Sequence, residues 1–160
     1  MLRSLFVGAI AIAAAALPAH AEIIAMDAYA RTANQKTGAA FVQIMNHGPA
    51  DRLIAAEADV ARRVELHTHI FDGGIAKMRQ VDGGVPLPEG GSVSMERGGL
   101  HVMFMGLTRT WTDGETFPLT LRFESGAALV VPVTIDSARR PDAPMQGMGH
   151  GAGHGAMTPK

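Results

Sequence analysis

Residues 62–69 read Arg62-Arg63-Val64-Glu65-Leu66-His67-Thr68-His69, with Val64, Leu66 and Thr68 in one register and Arg63, Glu65, His67 and His69 in the other. A period of two marks a strand with one face on a core, because successive side chains of an extended chain point to opposite faces. The next residues, Phe71-Asp72-Gly73-Gly74, supply a turn, so a second strand is predicted over 75–81. Working outward, strands are predicted over 23–30, 39–45, 52–56, 92–96, 100–107, 117–124 and 127–135. Asn46-His47-Gly48-Pro49 and Ser125-Gly126 read as turns, and 82–84 and 86–91 as loops. No segment carries the 3.6-residue apolar period of a long amphipathic helix. Many short strands at a spacing of roughly 8–12 residues predict an all-β sandwich or barrel.

The two ends differ in character. Arg3 precedes an uncharged apolar run from Leu5 to Leu17, followed by Pro18-Ala19-His20-Ala21. That order predicts a secretory signal peptide, 1–21, cut after Ala21. The run is short for a bilayer span, and with no Cys in the chain no lipid-bearing cysteine is expected either. Residues 22–137 are expected to form one domain, large enough to bury a core without staples. After Arg139-Arg140-Pro141-Asp142-Ala143-Pro144, the remainder to Lys160 is mostly Gly, Met, His and Ala. The 138–160 segment has too little apolar surface to offset its ordering entropy and is expected to be a disordered tail.

Composition narrows the function. Fourteen Lys+Arg against 15 Asp+Glu give a net charge of −1, and loss of Arg3 with the leader makes the exported chain slightly more acidic. No basic patch stands out, so nucleic acid is not an expected partner. The exported compartment permits disulfides, yet the chain has no Cys. Any soft metal donor must therefore be methionine, and ten Met in a chain with 5% aromatics exceed what bulk packing requires. There is no Gly-x-Ser-x-Gly and no His-Glu-x-x-His, and a blue-copper electron carrier needs a thiolate. A carrier is expected rather than an enzyme.

The segment Gly98-Gly99-Leu100-His101-Val102-Met103-Phe104-Met105-Gly106-Leu107 carries the candidate chemistry. Alternation puts Leu100, Val102 and Phe104 on the core face and His101, Met103 and Met105 on the other, away from the core. His101 and Met103 then stand side by side, about 7 Å apart at Cα given the strand rise. On the polar side of 62–69 stand His67 and His69, and the Gly73-Gly74 turn can bring Met78 near His67. Thioether sulfur suits soft copper(I), and neutral imidazole is an acceptable partner. Met105 is more economically read as packing, as are Met26, Met45 and Met95. His47, in a Gly/Pro turn, is read as solvated. The residues alone leave His67 and His69 both open.

Glu65-Leu66-His67, ten residues, Met78-Arg79, then Gly98 to Leu107 with His101-x-Met103 resembles the PCuAC family of periplasmic copper(I) chaperones, whose motif is a His, ten residues, a Met, about twenty-one residues and His-x-Met. Here the last gap is one residue longer, in a Pro/Gly loop. Asn46-His47-Gly48, Asp51-Arg52-Leu53, Gly83-Gly84-Val85-Pro86-Leu87-Pro88 and Asp113-Gly114-Glu115 add to the likeness, which covers residues 21–135. The resemblance implies a cupredoxin-like Greek-key β-sandwich and one copper(I) held by His67, Met78, His101 and Met103. It selects His67 over His69 and keeps Met105 out of the donor set. It further implies a periplasmic location and delivery to an acceptor such as a cytochrome c oxidase subunit or its assembly factor, with the chaperone a monomer and without a membrane span. A periplasmic copper storage or resistance protein with no dedicated acceptor is the alternative.

The tail carries Met145, Met148, His150, His154 and Met157 in a Gly-rich stretch, a composition fit for a second metal site. Its sulfurs suit copper(I), and its imidazoles also suit copper(II). Such a tail is expected to capture copper or raise its effective concentration near the main site.

Overall fold

The computed structural model describes residues 23–140. They form ten strands: β1 (Ile23–Asn34), β2 (Thr37–Asn46), β3 (Asp51–Glu57), β4 (Ala61–Asp72), β5 (Ile75–Gln80), β6 (Val85–Leu87), β7 (Ser92–Met95), β8 (His101–Leu107), β9 (Thr116–Phe123) and β10 (Ala128–Ile135). Their order is β5-β4-β8-β2-β1-β10-β9-β3-β6, with β7 paired to β2 beside β8. Among the described strands only β1 and β10 run parallel; the other pairs are antiparallel. The all-β sandwich is therefore as expected. The strand missed is β6, which lies partly inside a stretch read as loop. Pro86 stands in it opposite Arg52, and an edge strand tolerates a proline that donates no ladder hydrogen bond.

The two halves of the sheet enclose one core. Ala40, Val102 and Leu66 lie in one cross-strand row of β2, β8 and β4, and all three are buried with Leu119, Leu121, Val131 and Val133 of β9 and β10. Phe104, Trp111 and Phe117 form an aromatic cluster with centroids 5.1–5.6 Å apart. Trp111 comes from the loop before β9 and lies over Gly38, where a Cβ would stand 2.5 Å from the indole. Glycine at 38 thus makes room for the ring that closes this side of the core.

Two irregularities shape the opposite face of β2 and β8. The ladder of β1 on β2 slips between Met26 and Tyr29, at Asp27 with φ 58°. The extra residue puts Tyr29 opposite Phe41, with ring centroids 5.0 Å apart. Arg139 lies over the Tyr29 ring, 4.3 Å from its centroid, and pairs with Asp27. Second, β4 is paired to β8 only as far as His67, opposite His101. Its last residues, with β5, form a hairpin closed by Gly73 and Gly74, both at positive φ, as a two-residue turn between Asp72 and Ile75 demands. This hairpin overhangs the start of β8.

Candidate metal centre

The site is built on the face of β2, β8, β4 and β5 turned away from the core. Cross-strand partners share a face, so the ladders alone place Phe41, His101, Met103, Glu65, His67, His69 and Met78 together. His101 lies opposite His67, Met103 opposite Glu65, and His69 opposite Met78. Met78 therefore faces His69 directly and His67 diagonally, because the tight Gly73-Gly74 turn fixes the register of the hairpin.

A cavity of about 490 Å³ opens here, lined by His69, Met78, His101 and Met103 together with Phe41 and Phe71. His67 does not line it; its ring stands 6.0 Å from that of His101. His69 is closer, stacked on His101 at 5.2 Å and 30°. Phe41 completes the surround of His101 at 6.2 Å.

His101 turns away from the core, as alternation requires, but it is only 3% exposed. The expectation that it stands clear of the packed interior is corrected: the other face of β8 has its own cover of Phe41 and two imidazoles. Burial pushes its pKa below the ordinary value. The bond to Gly99 opposes that shift, and the neighbouring His69 and His67 add to it. The ring is thus held neutral near pH 7, the form that can donate a lone pair. Its Nδ1 lies 3.0 Å from the Gly99 carbonyl oxygen. A carbonyl only accepts, so Nδ1 carries the proton and Nε2 keeps the lone pair. By the same logic His67 Nε2 donates to Glu65, 2.9 Å away, so Nδ1 is the nitrogen that a neutral His67 ring has free for a ligand. His67 Nδ1 and His69 Nδ1 are both buried with no hydrogen-bond partner. Orphaned imidazole nitrogens beside two thioethers suit a soft ion. Among the described residues no three His, Asp or Glu side chains converge to hold a metal.

Met105 lies outside this group, opposite Arg63, whose guanidinium is 3.2 Å from its sulfur. Met95 is buried in the core, and His47 is exposed in its turn. Met145, Met148, His150, His154 and Met157 lie outside the described residues, as does the leader. Among the described residues no helix is long and apolar enough to cross a membrane. Sequence reading passed over Phe41 and the Gly99 carbonyl. The alternation of β2 carried a signal for Phe41; the carbonyl had none, because a backbone group leaves no mark in a residue pattern.

Residues 23–135 match the family described as Putative lipoprotein LpqE-like. The curated Putative lipoprotein Lxx21020 of Leifsonia xyli subsp. xyli is 28% identical over 109 residues, 68% of this chain; the match spans 66% of that protein's own length. Among solved structures, CuI-DR1885 from Deinococcus radiodurans is 30% identical, with a TM-score of 0.57 over 75% of this chain and 83% of that one. The copper-bound PCuAC domain from PmoF2 superposes with a TM-score of 0.60, covering 72% of this chain and 93% of that domain. At 20% identity that second likeness is one of fold.

Proposed function

Because the chain belongs to the LpqE-like family and carries the PCuAC fold, we propose that it is an exported copper(I) chaperone, taking one ion as cargo through His67, Met78, His101 and Met103. The observation that carries this reading is a cavity lined by His101, Met78 and Met103, with the His67 ring 6.0 Å from that of His101 and its Nδ1 buried and unpaired. The related CuI-DR1885 and the PmoF2 domain are described as copper-bound, and the donor set here has the matching softness. Neutral imidazole from His101 and proton-free thioether from Met103 bind without displacing a proton near pH 7. In an oxidising compartment thioethers also escape the disulfide exchange that would consume thiols.

A carrier must release its ion. Neutral His and Met donors hold copper less tightly than thiolates, and Met78 sits half-exposed on an edge strand where an incoming protein ligand can reach it. The acceptor in this proposal is a copper-receiving protein of the periplasm, such as a cytochrome c oxidase subunit or its assembly factor. The tail donors Met145, Met148, His150, His154 and Met157 form a second, looser capture site. Anaerobic copper(I) titration against a chromophoric chelator tests both parts. One tight ion is expected, lost in Met103→Leu, with extra weaker binding that disappears when residues 141–160 are deleted. Unchanged tight binding in Met103→Leu would remove the site, and unchanged stoichiometry after truncation would remove the tail's role.

A further inference from the structure

Strand β4 brings two imidazoles to the cavity, and the donor set above uses only His67. We propose that His69 is a relay ligand at the cavity mouth, handing copper(I) to and from the resident donors by way of Met78, which lies opposite it and belongs to the donor set with the deeper His101 and Met103. This inference rests on the copper reading of the same cavity.

Four observations place the relay there. His69 and Met78 are direct cross-strand partners, a spacing at which an imidazole and a thioether reach a common ion. The His69 ring stacks on His101 at 5.2 Å, nearer than His67 at 6.0 Å, so an ion on His69 is one ring away from the floor of the site. His69 Nδ1 is buried with no hydrogen-bond partner, while Glu65 engages one nitrogen of His67. Exposure then falls along the path, from 44% at Met78 to 3% at His101. The backbone fits the task too. Beyond His67, β4 is paired only with β5, so the mouth can shift while His101, on a strand flanked by β2 and β4, stays in place.

A soft ion crossing from solvent to a buried site sheds its outside ligands one at a time. An extra donor part-way along lowers the barrier in both directions and leaves the equilibrium little changed. That separates a relay from a resident ligand, and from an imidazole that merely stacks. The test uses the mature full-length chain with His69→Phe, which keeps an aromatic ring on His101 but has no lone pair, and His69→Ala as a second variant. Copper(I) loading and transfer to a bidentate chelator are followed anaerobically by stopped flow, alongside equilibrium affinity. Expected for both variants are loading and transfer slowed by about tenfold or more, with affinity close to the parent's. Wild-type exchange rates in His69→Phe overturn the relay. So does an affinity loss as large as that of His101→Ala, which would make His69 a resident donor. Undiminished copper binding in His101→Ala, in contrast, would sink the parent reading of the cavity.

Discussion

Strands β8 and β5 each contribute a methionine to the same cavity, under opposite mechanical conditions. Strand β8 lies between β4 and β2, with Val102 and Phe104 locked in the core on one side and His101 covered on the other. Strand β5 is an edge, paired only with β4, and its hairpin exposes Phe71, Ile75 and Met78. Donor chemistry is nearly the same at the two places, but freedom to move is not. A central strand fixes donors in position, and an edge strand lets them give way. The proposed carrier, which has to hold an ion and release it, would use one of each.

The largest effect that would break this contrast is at His101. Replacement by Ala is expected to weaken copper(I) binding by roughly a hundredfold or more, since loss of groups that only support a metal ligand already costs about 10–100-fold. Because the ring is buried, the apo protein should also lose about 1–3 kcal/mol, within the usual range for a single substitution. Competition titration and thermal melts read the two, and retained affinity contradicts the central-strand role. Phe104→Ala, on the same strand but facing the core, should cost about 3–5 kcal/mol. Copper stoichiometry should survive in the fraction that remains folded, as a melt with and without copper would show.

Met78→Leu sharpens the comparison from the edge side. Affinity should fall by only about tenfold, and stability should barely move, since the volume is conserved and the side chain is half-exposed. A loss equal to that at His101 would mean the edge donor is held as firmly as the central one.

The depressed pKa of His101 predicts a pH dependence. Its unfolded value is near 6.5, so below that pH the unfolded chain takes up the proton first. The stabilising contribution is complete above about 6.5 and is lost as pH falls through the depressed folded value. Apo melts between neutral and mildly acidic pH should therefore show a steeper loss for wild type than for His101→Gln; parallel curves would dismiss the effect. The smallest change is expected for Glu65→Gln, which keeps an acceptor for His67 Nε2 but removes the charge. Affinity should shift by tenfold at most, and a larger loss would promote His67 above its neighbours.

Much of this was legible along the chain. The alternation at 62–69 and the pair Gly73-Gly74 described β4 and its hairpin, and the donor types excluded thiolate chemistry outright. The register was not legible. Met78 faces His69 because the turn has two residues, one of several loop lengths a Gly-Gly pair permits. Nor was the burial of His101, since a period of two says which side chains share a face and nothing about what covers that face. Gly38 gave no hint that an indole from the 108–115 loop would need its missing Cβ.

By itself the sequence determined the parity of every donor and the softness of the set, because both follow from covalent geometry and atom type. Tertiary structure alone decided that β8 lies between β4 and β2, and that the bulge at Asp27 turns Tyr29 onto Phe41. Those choices pair residues far apart in the chain, and what selects among them is the burial of one common core, a quantity no local stretch contains.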